Sequence, residues 1–311
     1  MEKIRTAVIG VGYLGRFHAQ KYAALESAEL VAVVDPNPDT ATNVAEECKT
    51  QAVFDYRELM GKVDAVSIVV PTQLHYQVAK EFLENGIHVL VEKPITVTVA
   101  EADELIEIAH RNKLVLQVGH LERFNSAVLA LDGVLNAPQF IESHRLSPFN
   151  PRGADVNVVL DLMIHDIDII HNLVRSPIAS IESKGVSVLT NEDDIANARI
   201  TFENGCVANV TASRVSMKPQ RKMRIFQPDA YISIDFQDKI LSIHRKGEKE
   251  MFPGIPEITS EESIFENSDA IMAEARAFLE SINNGTPPPV TGEEGRDALK
   301  TAIHISELLG G

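Results

Sequence analysis

Over roughly its first 120 residues the chain alternates short apolar runs with amphipathic stretches. Ile4–Ile9, Glu29–Val34, Asp64–Val70, His88–Val91 and Leu114–Val118 have the length and apolar character of strands. Between them, Arg16–Leu25, Thr72–Glu84 and Val99–Arg111 read as helices, and Gly86 stops the second as a C-cap. Strands covered on both faces are near-continuously apolar, so this pattern predicts a doubly wound parallel sheet. From about residue 138 the texture changes. Residues 139–147, 180–189, 195–203, 206–214, 221–227, 230–236 and 239–245 read as strands joined by tight turns such as Glu203-Asn204-Gly205. Strands joined in that way pair antiparallel. One long helix, 157–175, interrupts them, and helices return at 268–284 and 292–309, separated by the stiff Pro287-Pro288-Pro289. Residues 246–266, rich in Glu and weakly periodic, read as a solvated loop. The expected fold is an α/β Rossmann domain over 1–120, followed by an α+β domain over 121–311 with a large open, mostly antiparallel sheet. The helices of 268–309 are expected to pack near the domain junction.

Composition narrows the classes of function. The 311 residues are 44% hydrophobic, enough for two cores, and the net charge of −16 argues against a general binder of nucleic acid or anionic membrane. An anionic substrate would need a local basic pocket set against that field. Cys48 and Cys206 are far apart and lack metal-ligand spacing, which suits a reducing compartment. Met1-Glu2-Lys3-Ile4 leads straight into a strand and no apolar run reaches membrane-spanning length, so a cytoplasmic protein is expected.

The first apolar run ends in Gly10-Val11-Gly12-Tyr13-Leu14-Gly15, a helix follows, and the second run ends on Asp35. This is a dinucleotide-binding fingerprint in its structural context. Gly10 permits the tight turn, Gly12 lets a pyrophosphate approach the backbone, and Gly15 lets helix and strand pack closely. The pyrophosphate would sit at the helix N-terminus, where free N–H groups and the dipole favour negative charge. Asp35 would hold the adenosine ribose hydroxyls and repel the 2′-phosphate of NADP, and Pro36-Asn37-Pro38 supplies no Arg to neutralise it. NAD is therefore the expected cofactor.

Ligands of an open parallel sheet lie beyond the carboxyl ends of its strands. Pro71-Thr72 falls at one such end, and Glu92-Lys93-Pro94 at another. Near a cationic nicotinamide and partly desolvated, Lys93 should have a lowered pKa, suited to moving a proton or polarising a carbonyl oxygen. Asp161, His165 and Asp168 fall at i, i+4 and i+7 of the predicted helix and so share a face. A carboxylate one turn from a histidine fixes its tautomer and raises its basicity, as a general base requires. A metal set is the competing reading, but no further His or Cys stands at ligand spacing, so no metal is expected. A capped helix with a satisfied histidine is the plain alternative.

Taken together, these residues resemble the glucose–fructose oxidoreductase/inositol dehydrogenase (Gfo/Idh/MocA) family over essentially the whole chain. The matching stretches are the glycine loop, Pro71-Thr72 with His75, Gly86 to Pro94, Asp161 with His165 and Asp168, and Pro289-Val290-Thr291-Gly292-Glu293-Glu294-Gly295. The resemblance implies a pyridine-nucleotide oxidoreductase acting on sugars, cyclitols or nucleotide sugars. It maps the catalytic lysine, aspartate and histidine onto Lys93, Asp161 and His165. It places Tyr13, Leu14, His75 and Glu92 with the cofactor, and implies a homodimer or homotetramer built through the second domain's sheet.

Gly119 to Ala127, which carries Glu122, Arg123 and Asn125, and Ser147 to Arg152 are similar to one bacterial branch, the UDP-N-acetylglucosamine 3-dehydrogenases. That branch makes a 3-keto sugar for a partner aminotransferase. Ser126 departs from the usual proline. A nucleotide sugar needs cationic partners for its diphosphate, and Arg123, Arg145 and Arg152 are the candidates, each equally open to a structural ion pair. Asp168 joins them as a substrate candidate. Another sugar, inositol or UDP-sugar acid stays open as substrate. A non-catalytic NAD sensor also stays open, although a sensor has no need of a base.

Overall fold

The computed structural model describes residues 3–150, 156–265 and 268–309. Its contacts divide the chain into two units. The first comprises Met1–Leu121 with Asp269–Leu299, and the second Glu122–Ser268 with Lys300–Gly311.

The first unit opens with β1 (Ile4–Ile9), α1 (Tyr13–Ala24), β2 (Ala28–Val34), α2 (Pro38–Cys48) and β3 (Gln51–Val53). It continues through β4 (Ala65–Ile68), α3 (His75–Glu84), β5 (His88–Glu92), α4 (Val99–Asn112) and β6 (Leu116–Gly119). All six strands run parallel in the order β3-β2-β1-β4-β5-β6. The order reverses between β1 and β4, and such a switch point opens a crevice at the carboxyl ends of the two strands. The helix ends follow local chemistry. Asn37 caps α2 with Pro38 at its first position, and Thr98 with Glu101 forms a capping box on α4. α2 and β3 fall where the hydropathy pattern names no element, although the Asn-Pro start signal is present.

The second unit begins with α5 (Ser126–Leu129) and β7 (Phe140–Leu146). A π-helical turn, Val159–Met163, runs directly into α6 (Ile164–Val174). Seven strands follow: β8 (Ile178–Val186), β9 (Ile195–Phe202), β10 (Val207–Ser213), β11 (Gln220–Gln227), β12 (Ala230–Asp235), β13 (Ile240–Phe252) and β14 (Ile255–Ile264). The eight strands lie in the order β14-β13-β12-β11-β7-β10-β9-β8, antiparallel except where β7 meets β10. One sheet face is buried, through Ile141, Met223, Ile225, Ile232, Ile234, Ala208 and Val210, and α6 contributes Ile167 and Ile170 to the same core.

Two expectations need correction. Residues 246–264 are not a loop: β13 and β14 form a long hairpin, turning at Gly254 with φ +77°. Beyond Lys246 the hairpin is largely exposed. Charged residues can therefore occupy both of its faces, which erases the two-residue hydropathy signal. The second correction concerns α7 (Ala270–Asn284), placed with the second domain by its position in sequence. Ala275, Phe278 and Leu279 of α7 instead join the core of the first unit with Ala19, Tyr22 and Val33. The last helix, α8 (Gly292–Leu309), belongs to the first unit up to Leu299 and to the second from Lys300.

Candidate active site

The glycine loop follows β1 at the switch point. Gly10 has φ +85°, and a Cβ there would stand 2.7 Å from the Val69 carbonyl oxygen. A Cβ on Gly15 would stand 1.9 Å from the Gly10 carbonyl oxygen, so neither position accepts a side chain. Gly12 is different: it is exposed, and a Cβ on it would meet nothing within 4 Å. Gly12 is the N-cap of α1, no side chain caps that helix, and its first turn carries no acid. Open space in front of uncapped N–H groups is the surface a pyrophosphate requires. The residues present therefore fit the phosphates of a dinucleotide.

Asp35 is half-buried at the end of β2. One of its oxygens accepts from the Val11 N–H at 3.1 Å and the other from the Asn37 N–H at 2.9 Å. A carboxylate offers about four acceptor sites, so two remain for ribose hydroxyls. The Arg16 guanidinium, one turn into α1, is taken up by Glu47 of α2 at 2.8 and 3.1 Å. It is thus committed away from a 2′-phosphate, which strengthens the preference for NAD.

The loop after β4 and the loop after β5 are tied by one side chain. His75, buried at the start of α3, has Nδ1 2.8 Å from the Pro94 carbonyl oxygen and Nε2 2.9 Å from the Val70 carbonyl oxygen. Burial lowers its pKa below the usual imidazole value, against the pull of the two carbonyls. His75 thus holds Pro71-Thr72 in register with Lys93-Pro94, whose peptide bond is cis. Lys93 is half-buried just past the carboxyl end of β5, and its backbone N–H donates to Glu92 Oε2 at 3.3 Å.

In the second unit, Asp161 lies in the π-helical turn and His165 in the first turn of α6, both half-buried. The uninterrupted α-helical spacing read for Asp161, His165 and Asp168 is therefore broken by a wider turn, a feature enriched at functional sites. Asp166 and Asp168 are both 1% exposed. Asp166 accepts from Ser143 Oγ at 2.8 Å and from Arg145 Nε at 2.7 Å, and Arg145 Nη1 donates to Glu122 at 2.9 Å. The two carboxylates hold Arg145 above even its usual high pKa, against its desolvation. Arg123 pairs with Asp168 at 3.3 Å. Arg123 and Arg145 thus each form ion pairs, while Arg152 lies outside the described residues. Asn125, also buried, caps α5 and donates to the Phe236 carbonyl oxygen at 3.1 Å.

Two buried polar residues that the sequence pattern does not single out lie beside Glu92. His18 is 1% exposed and Glu274 is fully buried, and both lie close to Glu92. His18 could have been found, since it stands on the same helical face as the buried Gly15, Ala19 and Tyr22. Glu274 likewise shares the buried face of its helix with Ala275, Phe278 and Ser281.

Comparison with known proteins agrees with this geometry. Residues 4–120 match the family described as "Oxidoreductase family, NAD-binding Rossmann fold", and residues 132–233 match the GFO/IDH/MocA C-terminal domain. A UDP-N-acetylglucosamine 3-dehydrogenase of Acidithiobacillus ferrooxidans is 42% identical over 306 residues, covering 98% of this chain and 97% of its own. The chain belongs to the Gfo/Idh/MocA oxidoreductase family. The solved structure of a UDP-N-acetylglucosamine 3-dehydrogenase from the same organism superposes with a TM-score of 0.93 at 41% identity, over 99% of this chain and 98% of that one. The scyllo-inositol 2-dehydrogenase (NAD(+)) of Bacillus subtilis is a more distant relative, 27% identical over 97% of this chain and 92% of its own. This Gfo/Idh/MocA member is an NAD-dependent dehydrogenase with a Rossmann domain and an open, mostly antiparallel second sheet. Among the described residues, no helix is long and apolar enough to cross a membrane.

Proposed function

We propose that this dehydrogenase oxidises the C3 hydroxyl of UDP-N-acetylglucosamine to the ketone. What carries the reading is the 42% identity to an enzyme of that name over nearly the full length of both chains. The chain also retains Lys93, Asp161 and His165 together. Bound NAD supplies the hydride acceptor. His165, oriented by Asp161, takes the hydroxyl proton as the C–H bond breaks. Lys93 hydrogen-bonds the same oxygen and offsets the negative charge that grows on it. Base assistance of this kind is worth about 10²–10⁴-fold. The opposite division of labour, with Lys93 as base and His165 as hydrogen-bond donor, uses the same residues.

The test is reduction of NAD followed by absorbance, with UDP-N-acetylglucosamine set against other nucleotide sugars, free sugars and inositols. A partner aminotransferase with an amino donor should pull the reaction forward by consuming the ketone. Turnover of an inositol in preference to every nucleotide sugar would overturn the substrate. NAD binding without turnover of any compound would favour a sensor. Lys93→Met and His165→Asn should each abolish hydride transfer while NAD still binds. A folded variant of either kind with near-normal turnover would defeat the assignment.

We further infer that copies of the chain associate through the outer face of the second sheet. Phe140, Phe226, Tyr231 and His244 form a continuous ladder across β7, β11, β12 and β13, with ring centroids 5.0–5.7 Å apart. A row of stacked rings on a sheet face is the kind of surface that interfaces use. We place the enzyme in the cytoplasm, a reading supported by two free cysteines, of which Cys206 is buried.

A further inference from the structure

His18 of α1, Glu92 of β5 and Glu274 of α7 meet in the core of the first unit, with one ligating atom from each within 4.8 Å of the others. Their exposures are 1%, 9% and 0%. The core of the same unit includes Ala19, Tyr22, Leu90, Ala275 and Phe278. His18 Nε2 stands 3.2 Å from Glu92 Oε1, and Glu92 Oε2 accepts from the backbone N–H of Lys93. Neither carboxylate oxygen of Glu274 has a hydrogen-bond partner among the described residues. Its backbone carbonyl accepts from Gln117 Nε2 at 3.3 Å, which holds that stretch of α7 against β6.

Two carboxylates this close in an apolar core cannot both ionise without a cation between them, because desolvation and mutual repulsion both oppose it. Burial first, and the neighbouring Glu92 second, push the Glu274 carboxyl well above its usual range. Among the described residues, the other titratable groups facing Glu274 are His18 and Tyr22, and the Tyr22 hydroxyl is engaged by Ser67 Oγ at 2.8 Å. Glu92, by contrast, has a polar partner at each oxygen, and its Oε1 packs against Gly119, where a Cβ would come within 2.9 Å of it.

We propose that Glu274 is kept as the neutral acid, and that Glu92, braced by His18, positions Lys93 for the reaction. This inference rests on the reading of Lys93 as a reacting group. Glu92, His18 and Glu274 are positioning residues that act through the backbone of Lys93.

Two experiments decide it. The first compares the thermal midpoints of the full-length wild type and Glu274→Gln from pH 5 to pH 8. An acid whose folded pKa lies above its unfolded value of about 4.5 costs the fold nothing below that value, and costs progressively more as pH rises towards the folded pKa. Glutamine cannot titrate, so the midpoint of Glu274→Gln should gain on wild type as pH rises. A stoichiometric metal ion in wild type, found by elemental mass spectrometry and lost with its stability in Glu274→Gln, would overturn the proposal in favour of a metal site. So would parallel midpoint curves.

The second is kinetic. Glu92→Gln should lower kcat by about 10- to 100-fold, the scale of a misplaced reacting group. It should move the basic limb of the kcat–pH profile to lower pH. If Lys93→Met is inactive while Glu92→Gln keeps the wild-type kcat and profile, the positioning role is wrong although Lys93 reacts. If Lys93→Met keeps turnover, the reading of Lys93 itself falls, and the positioning role with it. Should Glu92→Gln not fold, the midpoint curves still decide where the proton resides.

Discussion

Three glycines within six residues do three different jobs, and one substitution separates them. A methyl group on Gly15 collides with the Gly10 carbonyl, and one on Gly10 collides with Val69 at a left-handed φ. Either change should unfold the loop. On Gly12 the same methyl group meets no protein atom and the backbone has φ −64°, so Gly12→Ala should melt within a degree or two of wild type. It should nevertheless lose NAD affinity, because the methyl group fills the space a pyrophosphate needs. Calorimetric melting together with NAD titration checks both halves, and unaltered affinity would remove Gly12 from the phosphate site. Asp35→Ser should narrow the preference for NAD over NADP, since charge repulsion disappears while a hydroxyl remains to accept from Val11 or Asn37. Wild type that prefers NADP in titration would contradict the role given to Asp35.

At the scale of elements, α6 is fastened to the sheet by charge as well as by packing. Asp166 projects from α6 onto Ser143 and Arg145 of β7, and Glu122 completes the cluster. Removing one member of a buried pair leaves the other charged and short of a partner, at a cost of up to about 3–5 kcal/mol. Arg145→Met and Asp166→Asn should each lower unfolding free energy by an amount of that order in urea titrations. The double variant should cost less than the sum, because the orphaned charge is gone. Additive effects would show that the two groups do not depend on each other. Such anchoring bears on activity, since α6 also carries His165, and a shift of α6 would move the proposed base.

For the whole molecule, the testable matter is assembly. The ladder of Phe140, Phe226, Tyr231 and His244 crosses the outer sheet face, and Met251, Phe252, Ile255, Ile258 and Ile264 of the β13–β14 hairpin are each more than half exposed. Light scattering at micromolar concentration should show a homodimer or homotetramer. Tyr231→Glu, which sets a charge in the middle of the ladder, should shift the population towards monomer while the fold melts cooperatively. A monomeric wild type would refute assembly through this face.

The sequence alone determined whatever depends on neighbours along the chain. The glycine loop, Asp35 at the end of β2, Lys93 at the end of β5 and most strands of both sheets, β3 and the β13–β14 hairpin apart, are local signals. Each follows from backbone geometry or from two-residue and 3.6-residue periodicities. Only the tertiary structure decided the partners of charged residues, because such choices depend on contacts far apart in sequence. Arg145 finds Asp166 and Glu122, Arg123 finds Asp168, and Arg16 finds Glu47, although each guanidinium could equally have faced a phosphate. The same holds for α7, which joins the core of the first unit from about 150 residues downstream of it. Glu274 arrives with that helix, and a carboxyl group becomes chemically interesting there only because the packed core withdraws it from water and sets it beside Glu92.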